Sequence, residues 1–250
     1  MYYRTLDLAS FASISKFAEE IKRDFPKIDI LINNAAVMGV PLPALTEDGI
    51  EVTFGVNHLG HFYLTQLLME TLLKCKARII NVSSMGYKSG KLSEDMLDGD
   101  KPGIATGDTS LSMSIEMARY ANSKLANVYF TQELVTRYGM DGLEAVCLHP
   151  GIVQSNIFRH TTDGDKSIMQ KLIVKGMALF QISCVEGCKT TMHCVSADLK
   201  KDLNGKYFNK CQAEELLPVA CDPKIQSKLW ICSERLCDQI EKKLAEGASA

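Results

Sequence analysis

The chain has 250 residues, which at roughly 150 residues per domain allows one large domain or two small ones. Apolar residues make up 46% and charged residues 23%, enough for a sizeable core, and 28 Lys and Arg against 30 Asp and Glu leave no basic excess for nucleic-acid binding. No window reaches the roughly 18 uninterrupted apolar residues of a membrane span: the best, residues 172–185, is cut by Lys175, Gln181 and Ser183.

In chain order, residues 10–25 read as a helix opened by a Ser cap and closed before Pro26. Asp29-Ile30-Leu31-Ile32 then reads as a strand buried on both faces. Residues 54–74 form a long apolar helix, followed by the strand Arg78-Ile79-Ile80-Asn81-Val82. Residues 84–109 are polar and irregular and read as an excursion from a strand's carboxyl end. In residues 114–138, Ala118, Ala121, Leu125 and Val128 recur on one helical face, and Glu144-Ala145-Val146-Cys147-Leu148 is a third buried strand. Helices over 186–196 and 224–244 flank a weaker strand, Gly205-Lys206-Tyr207-Phe208. Strands alternating with helices predict an α/β fold, a doubly wound parallel sheet with helices on both faces, built as one domain over 1–250.

Tyr120 and Lys124 stand four apart on the fifth of these segments, which puts both side chains on one helical face. A phenol ionises near pH 10, and a nearby ammonium favours the phenolate, so the pair can form a tuned proton donor and acceptor. Alone, the spacing far more often marks an exposed amphipathic face. Three strand ends add weight: Asn33-Asn34-Ala35-Ala36, Asn81-Val82-Ser83-Ser84 and His149-Pro150-Gly151 place small or polar residues where strands finish. Such residues make turns, or they line one crevice at the carboxyl ends of a sheet, where open α/β folds bind ligands. Their order favours the crevice.

These residues resemble the short-chain dehydrogenase/reductase family. Asn33-Asn34-Ala35-Ala36 is similar to its Asn-Asn-Ala-Gly element, and Val56-Asn57-His58, Ser84, Tyr120-x-x-x-Lys124 and Pro150-Gly151 stand in the family's order. The resemblance implies a Rossmann-like fold with Tyr120 as general acid/base, Lys124 lowering its pKa and holding the nicotinamide ribose, Ser84 orienting the reacting oxygen, and Asn57 supporting a proton relay. Asp7 and Leu8 resemble the adenine-side element, and Ser155 stands where a Thr meets the nicotinamide amide. Asn33, Ala35, Pro150 and Gly151 complete the implied cofactor contacts. Phe54-Gly55-Val56-Asn57-His58-Leu59-Gly60, Ser123-Lys124-Leu125-Ala126-Asn127 and Leu203-Asn204-Gly205-Lys206-Tyr207-Phe208 resemble the retinol dehydrogenase branch. That branch implies retinal/retinol or other lipid aldehyde and alcohol chemistry with NADP(H), NAD(H) remaining open. It also implies a homodimer through helices 54–74 and 114–138, and relatives anchored at the endoplasmic reticulum. Residues 155–185, mixing apolar and charged side chains after Pro150-Gly151, are expected to form a substrate lid.

Other features read as decoys. His58 and His61 have helical spacing but no acidic companion, so no metal is expected. Cys184, Cys188 and Cys194 contain no Cys-x-x-Cys pair and read as buried thiols, and nine scattered cysteines suit a reducing intracellular compartment. Neither residues 86–91 nor Gly99, Gly103 and Gly107 have the context of a phosphate turn. No glycine precedes Gly39, so the family's first strand, glycine-rich turn and helix are not found ahead of Asp7. The expectation is a domain shortened at its N-terminus by an alternative start, a splice form or an incomplete gene model, with an exposed sheet edge. The rival to an oxidoreductase is then an inactive isoform or pseudoenzyme acting as an interaction or dimerisation module.

Overall fold

A computed structural model describes residues 1–41, 44–98, 114–154, 157, 181–199 and 203–247. Its centre is a five-stranded sheet in the order β1-β2-β3-β4-β5, with β1 (Ile30–Asn33), β2 (Arg78–Val82), β3 (Glu144–His149) and β4 (Tyr207–Asn209) parallel. Ile32 pairs with Ile80, and Ile80 with Val146, so the apolar runs expected as strands align in one register. β5 (Gln212–Glu214) returns antiparallel to β4. Its turn, Lys210-Cys211, places both residues in the left-handed region at φ 48° and 61°. Two-residue hairpins of that geometry normally announce themselves with Asn-Gly or Asp-Gly, so no turn signal marks this one.

Helices cover both faces, unequally. One face carries α1 (Phe11–Asp24), α3 (Gly60–Lys74), α5 (Ile115–Tyr138) and α7 (Pro223–Gly247), whose buried side chains form one continuous core with Ile79, Ala145, Cys147 and Tyr207. On the other face α6 (Cys184–Ser196) packs over β2, β3 and β4, where Cys194 and Leu199 meet Ile80, Val82, Val146, Leu148 and Phe208. β1 lies at the sheet edge beyond that cover. Ile32 is accordingly 40% exposed rather than buried on both faces as its apolar run suggests. Residues 1–7 carry no strand. Among the described residues, no helix is long and apolar enough to cross a membrane.

The expected Ser10 cap forms, and Ser114 and Ser183 cap two further helices, the second starting two residues before the expected Glu186. Ser10 Oγ accepts from Ser13 N, Ser114 Oγ from Met117 N, and Ser183 Oγ from Glu186 N. The expected helix over 54–74 is broken in two: α2 (Val52–Phe54) passes through a π-helical turn, Gly55–Leu59, before α3 begins. Such turns are rare and gather at functional sites. Here the turn carries Asn57. The short helix α4 (Glu94–Leu97) and a 3₁₀ turn, Met85–Ser89, interrupt the expected excursion; residues 99–109 of it lie outside the described residues.

Buried amides lock the carboxyl ends of the strands. Asn33 Nδ2 donates to Asn81 Oδ1 at 2.9 Å and to Thr65 Oγ1 at 3.2 Å, and Asn81 Nδ2 donates to Thr131 Oγ1 at 2.9 Å. β1, β2, α3 and α5 are thereby cross-braced beneath the crevice that the strand ends open.

Candidate active site

A cavity of about 690 Å³ opens at the carboxyl ends of β1, β2 and β3. Its walls are the loop 34–38, the turn 82–86 after β2, residues 149–153 after β3, the first turns of α5, and α6 through Cys184, Cys188 and Thr191. Tyr120, Lys124 and Ser84 all line it, and the helical spacing of Tyr120 and Lys124 points both inward rather than onto an exposed face.

The tyrosine is 8% exposed and the lysine 1%. Burial raises the Tyr120 pKa, and a hydrogen bond with the Ser84 side chain opposes that rise. The expected depression of the phenol by Lys124 is therefore not what this geometry produces. Burial pulls the lysine itself down to about 7, so only about half of a full ammonium charge remains to act on the tyrosine near neutral pH. Lys124 Nζ donates to Val82 O at 2.9 Å and has no carboxylate partner among the described residues. Around the pair, Ser83 Oγ donates to Lys124 O at 2.8 Å, fixing α5 against the end of β2, and Ser123 Oγ donates within the helix to Tyr120 O at 2.8 Å.

Asn57 stands behind this group, fully buried. Its Oδ1 accepts from Val37 N at 2.8 Å, and its Nδ2 donates to Val37 O at 3.0 Å and to Ser123 Oγ at 3.0 Å. One amide thus joins the loop after β1 to α5. Ala35, Pro150 and Gly151 line the cavity. Gly151 sits at φ 92°, where an added Cβ would also come 2.5 Å from Ile182 Cδ1, so glycine is required for the turn. Three other expected contacts are placed elsewhere. Asn33 is a brace below the cavity, Leu8 is in the core, and Asp7 caps the approach to α1 by accepting from Ala9 N at 2.9 Å. Ser155 lies outside the described residues, as does most of the expected lid; of that stretch, Cys184 and Val185 belong to α6. An isolated parallel bridge joins Val153 to Ile182.

His58, on the π turn, and His61, in the first turn of α3, are buried, held by Ser233 Oγ and Asn57 O, and desolvation pushes them down to about 3 and about 4. No group of metal ligands exists among the described residues. Cys194 is buried as expected, but Cys184 and Cys188 are exposed in the cavity wall, because the first turns of α6 border the opening rather than the sheet. His149, unmarked by spacing, lines the cavity with burial holding its pKa near about 4.

A family profile, short chain dehydrogenase, matches residues 1–94. The chain is similar to human retinol dehydrogenase 14, 41% identical over 239 residues, covering 92% of this chain and 65% of the relative. It is also similar to human retinol dehydrogenase 13, 37% identical over 93% of this chain and 67% of the relative. A crystal structure of an uncharacterized protein from Mycobacterium paratuberculosis superimposes with a TM-score of 0.65 at 30% identity, over 93% of this chain and 74% of that one. The chain belongs to the short-chain dehydrogenase family, in its retinol dehydrogenase branch, and the fold is Rossmann-like. It spans about 65% of the length of the first of these relatives.

Proposed function

We propose that this chain carries the carbonyl-handling site of a nicotinamide-dependent oxidoreductase that interconverts an apolar aldehyde and its alcohol, with retinal and retinol as the reference pair. The observation behind this reading is the Tyr120 phenol, hydrogen-bonded to Ser84 above a buried Lys124, at the floor of a largely apolar cavity. Retinol in the names of the similar human dehydrogenases supplies the substrate class.

The nicotinamide end of a cofactor fits these residues. Lys124 Nζ spends one hydrogen on Val82 O and, lacking a carboxylate partner among the described residues, has donors left for the ribose hydroxyls. Ala35, Pro150 and Gly151 would flank the ring. The bound nicotinamide supplies or accepts the hydride. Tyr120, kept as a neutral phenol by burial, is in the state to donate a proton to a carbonyl oxygen, while Ser84 orients that oxygen and the apolar walls exclude water. Asn57 holds the loop after β1 against α5, which keeps the catalytic face of that helix in register with the strand ends. NADP(H) is the favoured dinucleotide and NAD(H) the alternative.

The test uses a chimera in which a glycine-rich strand–turn–helix from a retinol dehydrogenase is grafted ahead of Met1. The chimera should reduce all-trans-retinal with NADPH, and Tyr120→Phe should abolish turnover while leaving NADPH affinity within a few-fold. A Tyr120→Phe chimera that retains near-parental kcat would refute the assignment.

A further inference from the structure

We infer that, when no dinucleotide lies against it, Lys124 captures an apolar aldehyde as a reversible imine at the floor of the cavity. The side chain lines a cavity of about 690 Å³ whose other walls are mostly apolar, so a hydrophobic aldehyde and the amine meet out of bulk water. Nothing acidic among the described residues pairs with Nζ, which makes one hydrogen bond, to the Val82 carbonyl. Rotating away from that acceptor frees the nitrogen toward the opening. Ser84 and Tyr120, hydrogen-bonded to each other, line the same cavity, with Nζ 5.8 Å from the centroid of the Tyr120 ring, and are placed to act on the carbonyl oxygen.

The chemistry balances without any further reactant. The Nζ lone pair forms a bond to the aldehyde carbon, and the carbonyl π electrons move to oxygen, which takes a proton from Tyr120. The adduct's nitrogen returns a proton to the tyrosine. Tyr120 then protonates the departing hydroxyl as the nitrogen lone pair closes the C=N bond, and it recovers its proton from the remaining N–H, so that amine and aldehyde give imine and water. A desolvated lysine is a recognised nucleophile for this step because it is free of its proton at neutral pH. With its pKa pulled down to about 7, Lys124 offers about a thousandfold more free amine at pH 7 than an ordinary surface lysine. Dinucleotide and aldehyde would compete for the same nitrogen, since the ribose contact proposed above uses it.

The aldehyde class rests on the function proposed above; the amine chemistry does not. The 250-residue protein would be incubated at pH 7 with all-trans-retinal and sodium cyanoborohydride, which fixes an imine as a stable amine, and the sites mapped by peptide mass spectrometry. The expected result is retinyl on Lys124 at least tenfold above exposed Lys16 and Lys243, with the signal suppressed by saturating NADPH in the grafted chimera. Lys124→Arg and Lys124→Met, checked for folding by circular dichroism, should each remove that selectivity. Modification confined to exposed lysines in the folded protein, or reaching Lys124 only in urea, would overturn the inference. A trapped imine without turnover in the chimera would sink the oxidoreductase reading alone. Turnover without a trapped imine would sink only this one.

Discussion

Replacing Asn57 with alanine removes the amide that ties the loop after β1 to α5. Three hydrogen bonds go: from Val37 N at 2.8 Å, to Val37 O at 3.0 Å, and to Ser123 Oγ at 3.0 Å. Ser123 keeps its bond to Tyr120 O, so its own loss is small. Val37 is half-buried, so water can replace part of what its N–H and C=O lose. A buried group left without a partner costs about 1–3 kcal/mol, and taking the low end for Val37 and a fraction for Ser123 gives about 3 kcal/mol in total. For a domain of this size each kcal/mol moves the melting temperature by about 2–4 °C, so the expected drop is near 10 °C. Thermal unfolding followed by circular dichroism measures it. A melting temperature within about 2 °C of the parent would show that Asn57 is not the clasp described here.

Gly60→Ala should destabilise by more than the usual helix preference for alanine would restore, because its Cβ would stand 2.6 Å from the backbone oxygen of Leu8; urea denaturation checks this, and an unchanged midpoint contradicts the packing. Stability should fall as the pH drops from about 6.5 toward 4. The folded chain holds His58, His61 and His149 neutral, at about 3, about 4 and about 4, whereas the unfolded chain takes up protons from about 6.5 downward. Each histidine contributes about 2 kcal/mol of loss by pH 5, so equal urea midpoints at pH 7 and pH 5 would refute their burial. The 250-residue polypeptide should bind NADPH far more weakly than the grafted chimera, since no glycine-rich turn among the described residues offers backbone donors to the pyrophosphate, and such charge-assisted bonds are worth about 1.5–3 kcal/mol each. Calorimetric titration showing micromolar affinity would mean that another segment takes that role.

The strands and long helices were legible because their signals are local. Ile79, Ile80, Val146 and Leu148 form apolar runs of strand length, and Ser10 and Ser114 sit at helix starts with their acceptor oxygens ready. Tyr120, Lys124, Ser84 and the strand-end turns were legible as a set, since four-residue spacing and strand-end position imply a shared side of the sheet. What stayed hidden depends on partners distant in the chain. The close approach of Gly60 to Leu8 spans the whole of β1, and the π turn at Asn57 is set by bonds to Val37 and Ser123. The β4–β5 hairpin lacks any glycine or asparagine at its two left-handed positions. The exposed Cys184 and Cys188 follow from where α6 meets the cavity, which cysteine spacing does not encode. The direction of the Tyr120 shift reversed because burial acts on both members of the pair, a tertiary effect invisible to a spacing of four residues.

The central claim is that Tyr120, Ser84 and Lys124 serve hydride transfer to an apolar carbonyl. Its most direct test is isotopic: the grafted chimera is given all-trans-retinal and NADPH deuterated at the transferable C4 position, and the recovered retinol is analysed by mass spectrometry. One deuterium on the alcohol carbon in the parent chimera, with no labelled retinol from Tyr120→Phe, is the predicted result. Labelled retinol in equal yield from both proteins, or none from either despite bound NADPH, would contradict it.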